Sequence, residues 1–116
     1  MLQKTEFIWF DGKLVPWDQA QVHVLAHGLH YGTGVFEGIR AYACPDGSSA
    51  VFRLPEHSKR LVNSAKILGI NMPYTADEIS KAIVETVVAN KLSEGYIRPL
   101  AFAGEGDMGG FPGNNP

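Results

Sequence analysis

The spacing of apolar and polar positions changes period several times along the chain. Phe7-Ile8-Trp9-Phe10 is an aromatic, β-branched run that stops at Asp11-Gly12, and Lys13-Leu14-Val15 resumes it. Two short β runs around Asp-Gly predict a hairpin, because both central turn positions need positive φ. Pro16 is expected to stop the second strand. A second extended segment is predicted from Val35 to Ala43. It runs into Pro45-Asp46-Gly47-Ser48, and Ala50-Val51-Phe52-Arg53 returns as its hairpin partner.

The period then becomes helical. Pro55 opens a helix where its missing N–H costs nothing. Leu61, Val62, Ala65 and Leu68 form its apolar face, and Gly69 ends it. Thr75-Ala76-Asp77-Glu78 is a capping box ahead of a second helix. Ile79, Ala82, Ile83, Thr86 and Val87 recur at 3.6-residue spacing as far as about Leu92. Gly95-Tyr96-Ile97-Arg98-Pro99-Leu100-Ala101-Phe102 reads as a last strand. Pro99 cannot donate to a ladder and should mark an edge or an irregularity. Strands, two helices and a strand predict an α+β domain of antiparallel hairpins and sheet, not a βαβ series. That domain is expected to span residues 1–103. Residues 104–116 hold five Gly and two Pro and read as a linker, so the chain looks cut there.

Composition narrows the class. The chain has 116 residues, 45% hydrophobic, with ten Lys plus Arg against twelve Asp plus Glu, a net charge of −2. That length and apolar fraction suit one core-forming domain. The balanced charge lacks the clustered Lys and Arg of a nucleic-acid partner. No apolar run approaches the ~18 residues of a spanning helix, and no export signal opens the chain, so no membrane association is expected. Cys44, the only cysteine, is a loop thiol beside Pro45. It excludes an intrachain disulfide and a Cys-based zinc site, and suits a reducing compartment, the cytoplasm.

His23, His27 and His30 invite a metal reading, since spacings of four and three could align them on a helix. Gly28 and Gly32 weaken such a helix, and no acidic residue lies between His23 and His30. They are therefore read as packing or backbone-bonding histidines, with no metal. The glycines of Gly28 to Gly34 fit neither a Walker loop nor a dinucleotide fingerprint. They are expected to relax the backbone beside a ligand or another subunit.

Strand alternation is more informative. If residues 35–42 are extended, Phe36, Gly38, Arg40 and Tyr42 share a face, where an aromatic beside a bare backbone makes a recess. Tyr96 and Arg98 similarly share a face with Leu100 and Phe102. This suggests an apolar pocket with few polar anchors. A half-buried sheet whose Arg snorkels to solvent fits the same spacing. Arg60 lies at the edge of the first helix's packed face, within reach of Glu56 one turn earlier.

Tyr31-Gly32-Thr33-Gly34-Val35-Phe36-Glu37-Gly38-Ile39-Arg40 resembles the branched-chain aminotransferases of the class-IV (fold-type IV) pyridoxal-phosphate enzymes. The resemblance continues through Phe52-Arg53, Glu56-His57, Arg60-Leu61, Ser64-Ala65-Lys66 and Tyr96-Ile97-Arg98-Pro99 to the Met108-Gly109 loop. It covers nearly the whole chain, from Ile8-Trp9-Phe10 to the tail.

The resemblance implies the small domain of that fold, pyridoxal 5'-phosphate as cofactor, and amino acids and 2-oxo acids as substrates. Arg60 would hold the cofactor phosphate, a dianion suited to a planar fork. Phe36, Tyr31 and Tyr96 would line the side-chain pocket, Tyr31 reaching in from the neighbouring subunit of a homodimer or larger homo-oligomer. Gly38 would leave the gap where substrate passes the backbone, and Arg98 would meet the distal carboxylate of glutamate. The Schiff-base lysine would lie beyond residue 116, in a larger C-terminal domain that this one packs against. Lys4, Lys13, Lys59, Lys66, Lys81 and Lys91 match no such position, so the chain alone should not turn over. Gly110 stands where relatives often carry a bulkier apolar residue. D-amino-acid aminotransferases and aminodeoxychorismate lyases resemble the helices but lack Phe36-Glu37-Gly38 combined with Tyr96-x-Arg98. A non-catalytic module using its aromatic strand face as a partner surface is the alternative outside catalysis.

Overall fold

A computed structural model describes residues 4–104 of the chain. The fold is α+β with antiparallel strand pairs throughout. Strands β1 (Phe7–Phe10) and β2 (Lys13–Pro16) form the first hairpin, with Pro16 as the last strand residue. Its turn needs the predicted conformation, with φ of 49° at Asp11 and 94° at Gly12. A 3-10 turn (Trp17–Gln19) and a short helix α1 (His27–Tyr31) follow. At five residues, α1 is too short to carry a periodic signal, so the sequence predicts two α-helices where the described residues hold three.

The segment predicted as one strand from Val35 to Ala43 is two: β3 (Gly34–Phe36) and β4 (Ile39–Ala43). The predicted last strand likewise divides into β6 (Gly95–Ile97) and β7 (Leu100–Phe102). Strand β3 pairs with β7, and β4 with β6. The register nonetheless runs unbroken across both gaps. Phe36 faces Leu100 on one side and Ile39 faces Ile97 on the other, so Glu37 lies opposite Pro99 and Gly38 opposite Arg98. At the gap the Glu37 N–H donates to the Pro99 carbonyl at 3.0 Å. The return bond is impossible because Pro99 has no N–H, which is why the ladder opens there. Strand β5 (Ser49–Val51) closes the other edge of β4, and Phe52 and Arg53 turn into the next helix.

Helices α2 (Leu54–Leu68) and α3 (Ala76–Ala89) cover one face of these strands. Pro55 lies in the first turn of α2, and Gly69 ends it in the left-handed region. Leu61 and Ala65 are buried as predicted, whereas Leu68 in the last turn is 41% exposed. The Thr75–Glu78 capping box forms in both directions. Helix α3 ends at Ala89, three residues short of the predicted Leu92. Ile39, Leu61, Ile79 and Ile83 form the core, with Val35, Val51 and Ile97 packed against it. Among the described residues, no helix is long and apolar enough to cross a membrane.

Candidate functional site

Alternation along the interrupted ladder separates two faces. Val35, Glu37, Ile39 and Ala41 point toward the helices, while Phe36, Gly38, Arg40 and Tyr42 face outward. Tyr96, Arg98 and Leu100 join them on the exposed face, and Phe102 is half-buried. The shared faces expected from the sequence therefore survive the two breaks, because the register does.

Four of the predicted site residues meet on the exposed face. The Arg98 guanidinium lies 4.2 Å from the Phe36 ring centroid, a cation–π contact. Its Nε and Nη2 donate to the Tyr96 hydroxyl at 3.2 and 3.0 Å. The Tyr96 hydroxyl in turn lies over Gly38, only 2.6 Å from where a Cβ would stand. A phenol, a cation and an aromatic wall are thus assembled around a residue without a side chain. Phe36 and Tyr96 remain about half exposed, at 56% and 51%. None of the four lines either of two open concavities, along α3 and at the end of α2. The group forms an open, half-exposed patch on the outer face of the strands.

The fifth residue, Arg60, sits on α2 beneath the strand break. It does not pair with Glu56 as its helical spacing suggested. Its Nε and Nη2 donate to Glu37 Oε2 and Oε1, each at 2.7 Å. His57, one turn earlier on α2, makes a 2.8 Å contact from Nδ1 to the same Oε1. Glu37 is 4% exposed, and a carboxylate so buried requires a cation. The hydrogen bond from Arg60 holds its carboxyl below the usual glutamate range, against burial pushing it up, with His57 lowering it further. Glu37 correspondingly raises the Arg60 guanidinium. The side chain of Arg60 stays 67% exposed, and Nη1 carries no hydrogen bond among the described residues. Glu37 was missed as a site residue. The available signal was its phase, an acid at an inward position between Val35 and Ile39.

Tyr31 is carried by α1, its half-exposed ring 4.5 Å from that of His27. Nearby, Val22, Val24, Leu25 and Leu29 are also exposed. His27 Nδ1 and the Thr33 hydroxyl are 2.7 Å apart, and His30 Nε2 lies 2.7 Å from the Val24 carbonyl. The His23 ring accepts the Leu25 N–H, so all three histidines engage hydroxyl or backbone groups. Among the described residues no three metal-ligating side chains come together. The first turn of α1 docks on the end of β7, His27 N–H to Gly104 O and Gly28 N–H to Ala103 O. Met108-Gly109, Gly110 and most of the glycine-rich tail lie outside the described residues.

Residues 34–116 match the family described as Amino-transferase class IV. The chain is 50% identical over 109 residues to a branched-chain-amino-acid aminotransferase of Pseudomonas aeruginosa, covering 94% of this chain and 35% of that protein. A branched-chain amino acid aminotransferase of T.th., complexed with N-(5'-phosphopyridoxyl)-L-glutamate, superposes with a TM-score of 0.92 at 47% identity. The match covers 97% of this chain and 37% of that one. The same enzyme complexed with 4-methylvaleric acid gives the same TM-score, identity and coverage. The chain therefore spans about a third of the length of the curated relatives it matches.

Proposed function

The chain belongs to the class IV amino-transferases, and we propose that it is the N-terminal part of a branched-chain-amino-acid aminotransferase. Residues 1–103 are its small domain, and residues 104–116 begin the connection to a larger one. The complete protein moves the amino group between leucine, isoleucine or valine and 2-oxoglutarate. It works in the cytoplasm as a homodimer or larger homo-oligomer, in which Tyr31 and the exposed apolar residues around it face the neighbouring subunit.

The observation that carries this reading is the seat of Arg98, a guanidinium on the Phe36 ring and bound to the Tyr96 hydroxyl. An apolar wall with one cation at its rim can accept a branched aliphatic chain or a distal carboxylate. The aliphatic chain packs on Phe36 and Tyr96. The carboxylate meets Arg98, whose charge offsets its loss of water. One relative, crystallised both with a phosphopyridoxyl-glutamate and with 4-methylvaleric acid, supports both occupants. The matched relatives do not favour a D-amino-acid aminotransferase, a lyase or a non-catalytic module.

Pyridoxal 5'-phosphate is the implied cofactor, and Arg60 fits it. An exposed guanidinium with one edge held and Nη1 open suits a phosphate dianion. When bound, the cofactor supplies the electron sink for transamination, and the lysine it needs belongs to the larger domain. This chain's residues anchor the phosphate at Arg60 and choose the substrate side chain at Phe36, Gly38, Tyr96 and Arg98. The test uses the full-length protein loaded with pyridoxal phosphate. Leucine plus 2-oxoglutarate should give glutamate, and D-alanine should give none. Turnover of D-alanine with no turnover of leucine would overturn the reading.

A further inference from the structure

Glu37 is buried, yet every oxygen of its carboxylate is engaged by α2. Oε2 accepts from Arg60 Nε, and Oε1 meets both Arg60 Nη2 and His57. Its backbone is fixed as well, since its N–H makes the hydrogen bond to Pro99 in the ladder gap. Arg60 itself is mostly solvated. Without Glu37 its long side chain would sample many rotamers.

We infer that Glu37 is a positioning residue for Arg60. It grips the Nε–Nη2 edge of the guanidinium so that the Nη1 edge is presented, already ordered, to the phosphate of the cofactor. His57 braces the same carboxylate from one turn earlier on α2. This rests on the reading of Arg60 as the phosphate ligand. Immobilising one such side chain beforehand is worth roughly three- to tenfold in affinity. The negative charge of Glu37 opposes a dianion, so a test must separate charge from geometry. Glu37→Asp does so, keeping the charge while withdrawing the carboxylate by one methylene.

The measurement is the ratio of affinities of the full-length apoprotein for pyridoxal phosphate and for pyridoxal, which lacks the phosphate. Effects on the ring or on folding cancel in this ratio. Arg60→Ala should lower the ratio by about ten- to a hundredfold. Glu37→Asp should lower it about three- to tenfold, and should change nothing further in the Arg60→Ala background. An unchanged ratio in Arg60→Ala overturns the phosphate-ligand reading. A lowered ratio in Arg60→Ala with none in Glu37→Asp overturns the role of Glu37 alone. Equal effects of Glu37→Asp in both backgrounds mean that it does not act through Arg60, and overturn it too. Should Glu37→Asp fail to fold, arginine-labelled wild-type protein supplies the reading by NMR. The Arg60 Nε–H signal, assigned by its loss in Arg60→Ala, should be protected from exchange, and solvent-like exchange would overturn the inference.

Discussion

The Tyr96 hydroxyl occupies the space that a side chain at Gly38 would need, 2.6 Å from the position of the missing Cβ, with two ring carbons at 3.3 Å. The same hydroxyl accepts both hydrogen bonds from Arg98. Gly38 therefore governs Arg98 through Tyr96. In Gly38→Ala the half-exposed Tyr96 ring would swing outward, at about 1 kcal/mol, the low end of the cost of added volume, because about half of the ring faces solvent. Arg98 would lose its anchor. The full-length variant should melt within a few degrees of wild type, with glutamate turnover reduced about tenfold more than leucine turnover. Equal losses for both substrates would break the link between Gly38 and Arg98.

The buried carboxylate predicts an acid-sensitive contribution to stability. The folded-state pKa of Glu37 is lowered, first by the hydrogen bond from Arg60. Its contribution is thus complete above the ordinary glutamate value of about 4.3 and is lost as pH falls through the lower folded value. Full-length Glu37→Gln should melt below wild type at pH 7, and the gap should narrow as pH falls below ~4. Thermal melts of both proteins across that range check this. A gap independent of pH would mean that the carboxylate is not held as described.

The capping box of α3 gives an independent check on the fold. Thr75 accepts the Glu78 N–H at 3.2 Å, and the Glu78 side chain accepts the Thr75 N–H at 2.9 Å. Thr75→Ala should destabilise the protein by about 1 kcal/mol while leaving the leucine-to-glutamate preference intact. Denaturant midpoints and the two turnover rates measure both.

Features written in local spacing were legible in the sequence. The Asp11-Gly12 turn, the Thr75–Glu78 box and the Gly69 stop each depend on neighbours within a few residues. The exposed set Phe36, Gly38, Tyr96 and Arg98 was legible for the same reason, since alternation survives where the register does. The strand breaks were half legible. Pro99 announced an irregularity in its own strand, but its echo at Glu37-Gly38 depends on which residues it faces. The partner of Arg60 was not legible, because Glu37 lies 23 positions away and helical spacing offered Glu56 instead. Helix α1 was not legible either, as one turn with exposed Leu29 and Tyr31 has no periodicity.

The central claim is that a single cation on an apolar wall lets one site accept two kinds of substrate, and Arg98→Met in the full-length protein tests it most directly. Methionine keeps much of the stem's packing on Phe36 and removes the charge. Leucine brings only methyl groups to that rim, whereas 2-oxoglutarate brings a second carboxylate whose unpaired burial costs several kcal/mol. Single-turnover measurements of each half-reaction should show about a hundredfold loss of kcat/KM for glutamate and 2-oxoglutarate, ~2.7 kcal/mol, and far less for leucine. Equal losses for the two substrates would mean that Arg98 holds the group they share, or the fold, and would contradict the account.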